Sequence, residues 1–150
     1  MLLAEARATV DADRWRQEDQ MAHQNDILAR EAAAAFQQGD LDALRDKYLA
    51  ADTRWHVAGR SPLAGDYEGA GQVLGLFGKI FELTNGSYRI EVHDVVANDE
   101  HAVSLITARA ERAGKQLVDN QTLVSHITDG KFSEVWVQFS DPYAVDDFFS

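Results

Sequence analysis

Apolar residues recur at helical spacing early in the chain. The first stripe begins near residue 24 and stops at Gly39, a residue that often follows the last turn of a helix. Its members are Leu28, Ala32, Ala35 and Phe36. Asp40 can cap a second helix, whose stripe is Leu41, Leu44 and Tyr48. The sequence therefore predicts two consecutive helices that meet at Gly39-Asp40.

A short strand and a third helix follow. Residues 53–57 alternate, which places Trp55 and Val57 on one face of a strand and His56 on the other. Turn-forming residues from 58 to 71 indicate a long loop. The third helical stripe then ends at Asn85-Gly86, and its members are Val73, Phe77 and Ile80.

After Gly86 the period changes from that of a helix to that of a strand. Four β-rich runs are separated by turn signals, and they cover 87–97, 101–112, 115–128 and 131–140. Asp141-Pro142 then has the pattern of a helix start, which predicts a closing helix from Pro142 to Phe149. Three helices followed by an antiparallel meander indicate an α+β domain with helices on one face of a curved sheet.

Residues 1–22 are charged and have a thin apolar stripe at helical spacing, so we expect a helical N-terminal extension. Residues 23–150 form the single predicted domain. The net charge of −11 disfavours nucleic-acid and anionic-membrane partners. No cysteine is present, no apolar run is long enough to span a bilayer, and we expect a cytoplasmic protein.

Several motifs carry a family resemblance. They are Gly39-Asp40-Leu41-Asp42, Pro62-Leu63-Ala64-Gly65, and the segments 92–99 and 129–136. From about 24 to 149 the chain resembles the nuclear transport factor 2-like fold of ketosteroid isomerases, limonene epoxide hydrolases and SnoaL-like polyketide cyclases, and it is most similar to the SnoaL-like group. The resemblance implies a cone-shaped α+β fold with three N-terminal helices on a curved mixed sheet. It also implies an apolar pocket with a few polar groups.

The resemblance makes His56 a candidate base. Aligned without gaps from Gly39, His56 falls where ketosteroid isomerases keep a carboxylate base, and a neutral imidazole can also abstract a proton near pH 7. The alternative is a strand-edge histidine bonded to a loop. Ala32 and Leu123 stand where that family keeps its two hydrogen-bond donors, so steroid isomerisation is not expected.

Arg109 and Glu111 resemble half of an epoxide hydrolase site. Residues two apart on a strand share a face and could reach one ligand. The third hydrolase position holds Gln138, which cannot exchange a proton, and a charged pair beside a turn is also typical of a solvated hairpin end. The cyclases place an Asp after the last-strand Trp, whereas Val137 follows Trp136 here.

Asp119 is the remaining acidic candidate. It shares a strand face with Gln121 and Leu123, where it could act as an acid, an anchor or a carboxylate at the pocket rim. The expected ligand-binding residues are Tyr48, Trp55, Phe77, Phe81, Gln121, Leu123, Trp136 and Gln138. No metal or cofactor is expected, because no histidine pair has ligand spacing and no phosphate-binding loop is present.

Two classes of function remain open. The first is a small-molecule enzyme that uses acid–base chemistry of the isomerase, cyclase or hydrolase type on an oxygenated hydrophobic substrate such as a polyketide or terpenoid. His56 would be its base, and Asp119 or Glu111 its partner; Arg109 and Glu111 would serve an epoxide hydrolase. The second is a non-catalytic domain that binds a hydrophobic ligand. If His56 points into solvent and no ionisable group reaches the cavity, the enzyme hypothesis fails.

We also expect a homodimer. On the last strands Phe132 and Trp136 alternate with Val135, Val137 and Phe139, which gives apolar residues on both faces. Helices can cover only one of these faces, and related folds cover the other by packing two sheets together.

Overall fold

The computed structural model describes residues 23–150, so the predicted N-terminal extension, 1–22, lies outside the described residues. Helix α1 spans Gln24–Gln38 and begins at His23, whose side chain accepts the Asn25 N–H. It ends at Gly39, which adopts the left-handed conformation with φ of 69°. The first predicted helix is confirmed with nearly its expected ends.

The second predicted helix is shorter than expected. Asp40 caps α2, Leu41–Ala43, by accepting the Ala43 N–H at 3.0 Å, and a π-helical segment, Leu44–Tyr48, follows. Leu44 is buried, but Leu41 is 37% exposed and Tyr48 is half-buried. The wider π turn leads the chain into the first strand, and Tyr48 at its end still packs against the core.

Six strands form one mixed sheet in the order β2-β1-β6-β5-β4-β3. Their bounds are β1 Leu49–Val57, β2 Gly65–Glu68, β3 Arg89–Ala97, β4 His101–Arg112, β5 Lys115–Thr128 and β6 Lys131–Phe139. β1 pairs with β6 in parallel, and the other neighbouring strands are antiparallel. The predicted four-strand meander is therefore confirmed as β3 to β6. β2 lies inside the stretch expected to be a loop, because this edge strand has no alternating apolar pattern.

Helix α3, Ala70–Leu83, and α1 pack on the same face of the sheet, which we call the inner face. Helix α4 spans Pro142–Phe149, which confirms the predicted closing helix. Its residues Val145 and Phe149 close one end of the inner face. The opposite, outer face carries the side chains that alternate with the buried ones. The α+β class with helices on a curved, open sheet is confirmed. Within residues 23–150, no helix is long and apolar enough to cross a membrane.

Candidate functional site

A cavity of about 130 Å³ lies between the inner face of the sheet and the three helices α1, α3 and α4. Its wall is mainly apolar, with Phe36 and Phe77 from the helices, Trp55 from β1 and Phe149 from α4. The sheet contributes Ile106, Leu123, Val135 and Val137 to the same wall. Alternation along the strands places these side chains inward, and the helices then keep them from water.

Few polar groups line this cavity. They are Ser61, Tyr88, Ser104, Gln121 and Ser125. The wall residue Trp55 adds a buried indole N–H that has no hydrogen-bond partner among residues 23–150. In the described part of the chain, no Asp, Glu, Lys, Arg or His lines the wall. The polar chemistry that the cavity offers is therefore hydrogen bonding by neutral groups.

Tyr88 and Gln121 form a pair inside this wall. Gln121 Nε2 donates to Tyr88 Oη at 2.9 Å, and both residues are more than nine-tenths buried. Within residues 23–150, the Tyr88 hydroxyl proton has no acceptor. Burial raises the pKa of Tyr88 to about 12, so the phenol stays protonated at neutral pH. Tyr88 is thus a neutral donor whose own proton is available to a bound molecule.

Asp119 lies behind this pair rather than in the wall. It is 3% exposed and points to the inner face of β5, two residues before Gln121. Burial raises the pKa of its carboxyl group. The rim position that the sequence left open for Asp119 is wrong, because this carboxyl is buried.

His56 lies on the outer face, away from the cavity. Its ring contacts two carboxylates, Asp66 at 2.7 Å and Glu134 at 2.7 Å, and stacks on Trp136. Strand alternation sends Trp55 into the cavity and therefore sends His56 outward. The expectation that His56 faces an apolar pocket as its base is corrected by this placement.

Arg109 and Glu111 are also remote from the cavity. Both are exposed on the outer face of β4, since the alternating residues Ala108 and Ala110 are the buried ones. Their placement is that of a solvated hairpin end, which corrects the expectation that they reach a pocket ligand.

The expected ligand-binding residues divide into two groups. Trp55, Phe77, Gln121 and Leu123 line the cavity. Tyr48 and Phe81 pack against the core but do not line the cavity, whereas Trp136 and Gln138 lie on the outer face. Trp136 is outward for the same reason as His56, since it alternates with the inward Val135 and Val137.

Sequence reasoning missed Tyr88, Ser104 and Ser125. Tyr88 directly precedes β3 and alternates with Ile90 and Val92 of that strand, a pattern that predicts the inner face for its side chain. The two serines fall at inward positions of long strands, and nothing in their residue type marks them as cavity residues.

Comparison with known proteins identifies the family. A model of the SnoaL-like domain matches residues 29–135. An uncharacterised protein of Mycobacterium tuberculosis is 29% identical over 124 residues, covering 82% of this chain and 94% of that protein. Bal32a, from a soil-derived mobile gene cassette, has a TM-score of 0.82 and 30% identity, with 86% of this chain and 98% of that one covered.

Two further solved structures share the fold at lower identity. A nuclear transport factor 2-like protein from Burkholderia xenovorans has a TM-score of 0.72 at 21% identity, with 87% and 98% of the two chains covered. IdmH of Streptomyces antibioticus, described as a candidate polyketide cyclase, has a TM-score of 0.68 at 20% identity, with 82% and 96% covered. These two structures share the nuclear transport factor 2-like fold of the chain, and the domain match shows that the chain belongs to the SnoaL-like family.

Proposed function

We propose that this protein binds a small, mainly apolar molecule that carries a neutral, hydrogen-bond-accepting oxygen. The observation that carries the proposal is the Tyr88 hydroxyl, which accepts from Gln121 and keeps its own proton free inside an apolar wall. A buried donor without a partner costs about 1 to 3 kcal/mol. A ligand oxygen that accepts this proton would remove that cost.

The dimensions of the cavity favour a ligand about the size of one ring. An engineered apolar cavity of about 150 Å³ binds benzene, and the cavity here measures about 130 Å³. The wall offers apolar contact on most sides and hydrogen bonds at Tyr88, Ser104 and Ser125. Such a surface favours an aromatic or alicyclic ketone, ether or alcohol over a charged metabolite.

Acetophenone and 2-phenylpropene test the proposal as a matched pair, because a methylene group replaces the carbonyl oxygen in the second compound. We expect the protein to bind acetophenone roughly 3- to 10-fold more tightly, as one net hydrogen bond provides. Tyr88→Phe should remove this preference. Tyr143→Phe is the control, since Tyr143 is 86% exposed. If Tyr88→Phe prefers acetophenone over 2-phenylpropene as strongly as the wild-type protein does, measured by NMR titration, the proposal is contradicted.

Isomerase or cyclase chemistry in the same cavity is the second candidate function. The Tyr88 hydroxyl favours it, because a neutral donor in an apolar site can stabilise an enolate-like oxygen. The candidate polyketide cyclase IdmH, which has the same fold, agrees with this type of chemistry. No carboxylate or imidazole from residues 23–150 lines the cavity as a base, which is why binding ranks first.

Proton exchange separates these two functions. In D₂O a catalyst of enolisation removes a proton from the acetophenone methyl group and returns a deuteron from solvent. A binding protein leaves the rate of this exchange unchanged, as NMR would show. Faster exchange that disappears in Tyr88→Phe would establish the catalytic function instead.

A further inference from the structure

Asp119 is a buried acid that has no role in the proposed binding of a neutral oxygen. Its Oδ2 has no hydrogen-bond partner among residues 23–150, and its Oδ1 lies 3.5 Å from Ser140 Oγ. Asp119 and Gln121 are alternate residues of β5 and share its inner face, so their side chains are neighbours. The carboxyl therefore lies behind the amide that donates to Tyr88.

The groups around Asp119 act in opposite directions on its charge. Burial raises its pKa most strongly, and the Asp141 carboxylate raises it as well. The Gln121 amide, the Asp141 backbone N–H and the Ser140 hydroxyl lower it. Its cross-strand neighbour on β4 is Ala108, which carries no charge. In the described chain no basic side chain compensates this carboxyl, so its ionised form places an unpaired negative charge beside the cavity.

We propose that Asp119 is a positioning residue that restricts the ligands of Tyr88 to neutral oxygen acceptors. This inference rests on the proposed binding function. The neutral acid leaves a Gln121 N–H directed at Tyr88 Oη, which keeps the phenol proton directed at the ligand. The ionised acid attracts the same amide and repels any electron-rich oxygen that approaches Tyr88.

Ligand charge follows from the same geometry. Benzoate has nearly the shape of acetophenone but carries a full negative charge. With no basic residue from 23–150 in the wall, and Asp119 behind it, benzoate should bind far more weakly than acetophenone. Replacing Asp119 with its neutral isostere should reduce this discrimination.

The experiment follows acetophenone and benzoate affinity from about pH 4 to pH 8, a range that begins at the ordinary pKa of Asp. The ¹³C resonance of the Asp119 carboxyl is titrated in the same wild-type samples. We expect acetophenone affinity to fall roughly 3- to 10-fold with the midpoint of that titration. Asp119→Asn should bind acetophenone equally at all pH values and should gain affinity for benzoate. Asp147→Asn is the control, because Asp147 is an exposed acid of α4.

The outcomes separate the role of Asp119 from the function of the cavity. A structural role alone would lower the stability of Asp119→Asn but leave the pH profile of acetophenone binding unchanged, and that result would overturn the inference. So would an affinity midpoint that differs from the ¹³C midpoint in the wild-type protein. If Tyr88→Phe still prefers acetophenone over 2-phenylpropene, the binding function itself fails. If Tyr88→Phe loses this preference while Asp119→Asn keeps the wild-type pH profile, only the role of Asp119 fails.

Discussion

His56 Nε2 lies 2.7 Å from Glu134 Oε2, while Nδ1 of the same ring lies 2.7 Å from Asp66 Oδ1. A neutral imidazole has one N–H and could donate to only one of these carboxylates. The two contacts therefore require the protonated ring. The hydrogen bonds that the ring donates to Asp66 and, with a smaller effect, to Glu134 raise the pKa of His56. This cluster joins β2, β1 and β6 on the outer face.

The cluster predicts a stability maximum in mildly acidic solution. The raised pKa of His56 means that its contribution is complete below its ordinary value of 6.5 and is lost as pH rises through the raised pKa. Glu134 has a lowered pKa, chiefly because of His56, so its contribution is present above 4.5 and is lost as pH falls through the lowered pKa. Urea unfolding of the wild-type protein from well below pH 4.5 to well above pH 6.5 should show both losses.

His56→Gln should flatten the alkaline side of this profile. His93→Gln is its control, since His93 is exposed on β3. If His56→Gln keeps the wild-type loss of stability above pH 6.5, another group causes it.

The outer face also predicts self-association. Directly paired residues form a row across five strands, Val96, Val103, Val124, Trp136 and His56. Val96, at one end of this row, is 63% exposed. Phe132 does not contribute, because a register shift between His126 and Ile127 turns it into the cavity wall. We propose that a second copy of the chain covers the apolar part of this row, Val96, Val103, Val124 and Trp136, since monomers seldom expose a continuous apolar patch.

Light scattering at micromolar concentration should therefore give twice the chain mass. Val124→Lys should shift the protein to the monomer, because it places a charge in the centre of the row. Gln116→Lys adds the same charge at the start of β5, away from the row, and should leave the dimer intact. A monomeric wild-type protein would contradict this assembly.

Thr53 carries a hydroxyl group that stability measurements can isolate. It is fully buried on β1, and its Oγ1 has no partner among residues 23–150. Thr53→Val should raise the free energy of unfolding by about 1 kcal/mol, because it removes an unsatisfied polar atom and keeps the shape. Thr84→Val is the matched comparison, since Thr84 Oγ1 donates to Ile80 O at 2.8 Å. We expect Thr84→Val to lower the free energy of unfolding. If both variants change this free energy equally, the unsatisfied Thr53 hydroxyl is not the cause.

Gly59 is required by the loop that carries Ser61 and Leu63 into the cavity wall. Its φ is +97°, and an added Cβ would lie 2.6 Å from Asp146 Oδ1. That oxygen accepts the N–H groups of Arg60 and Ser61. Gly59→Ala should lower the free energy of unfolding by about 1 to 3 kcal/mol and weaken acetophenone binding. Gly78→Ala is the control, because its Cβ meets nothing within 4 Å in helix α3, and it should be neutral or stabilising.

Local patterns were sufficient to predict the meander and α4, because alternation and turn residues act over a few positions. The same alternation separates Trp55 from His56, and the family resemblance led to the opposite expectation for His56. Which face becomes the inner one depends on where α1 and α3 pack, a long-range property. The inward placement of Tyr88 could be predicted from its alternation with Ile90. The burial of Asp119 beneath the start of α4 could not, because it depends on where the last helix packs.

The parallel pairing of β1 with β6 has a kinetic consequence. β3 to β6 form by successive hairpins, but Val57 meets Val137 only after the whole intervening chain has closed a large loop. Closing that loop costs entropy that local hairpins do not. Because Trp55 and Val57 are wall residues of the cavity, the cavity is completed only when β1 docks. A ligand that needs the finished wall can therefore slow unfolding but cannot speed the formation of the meander.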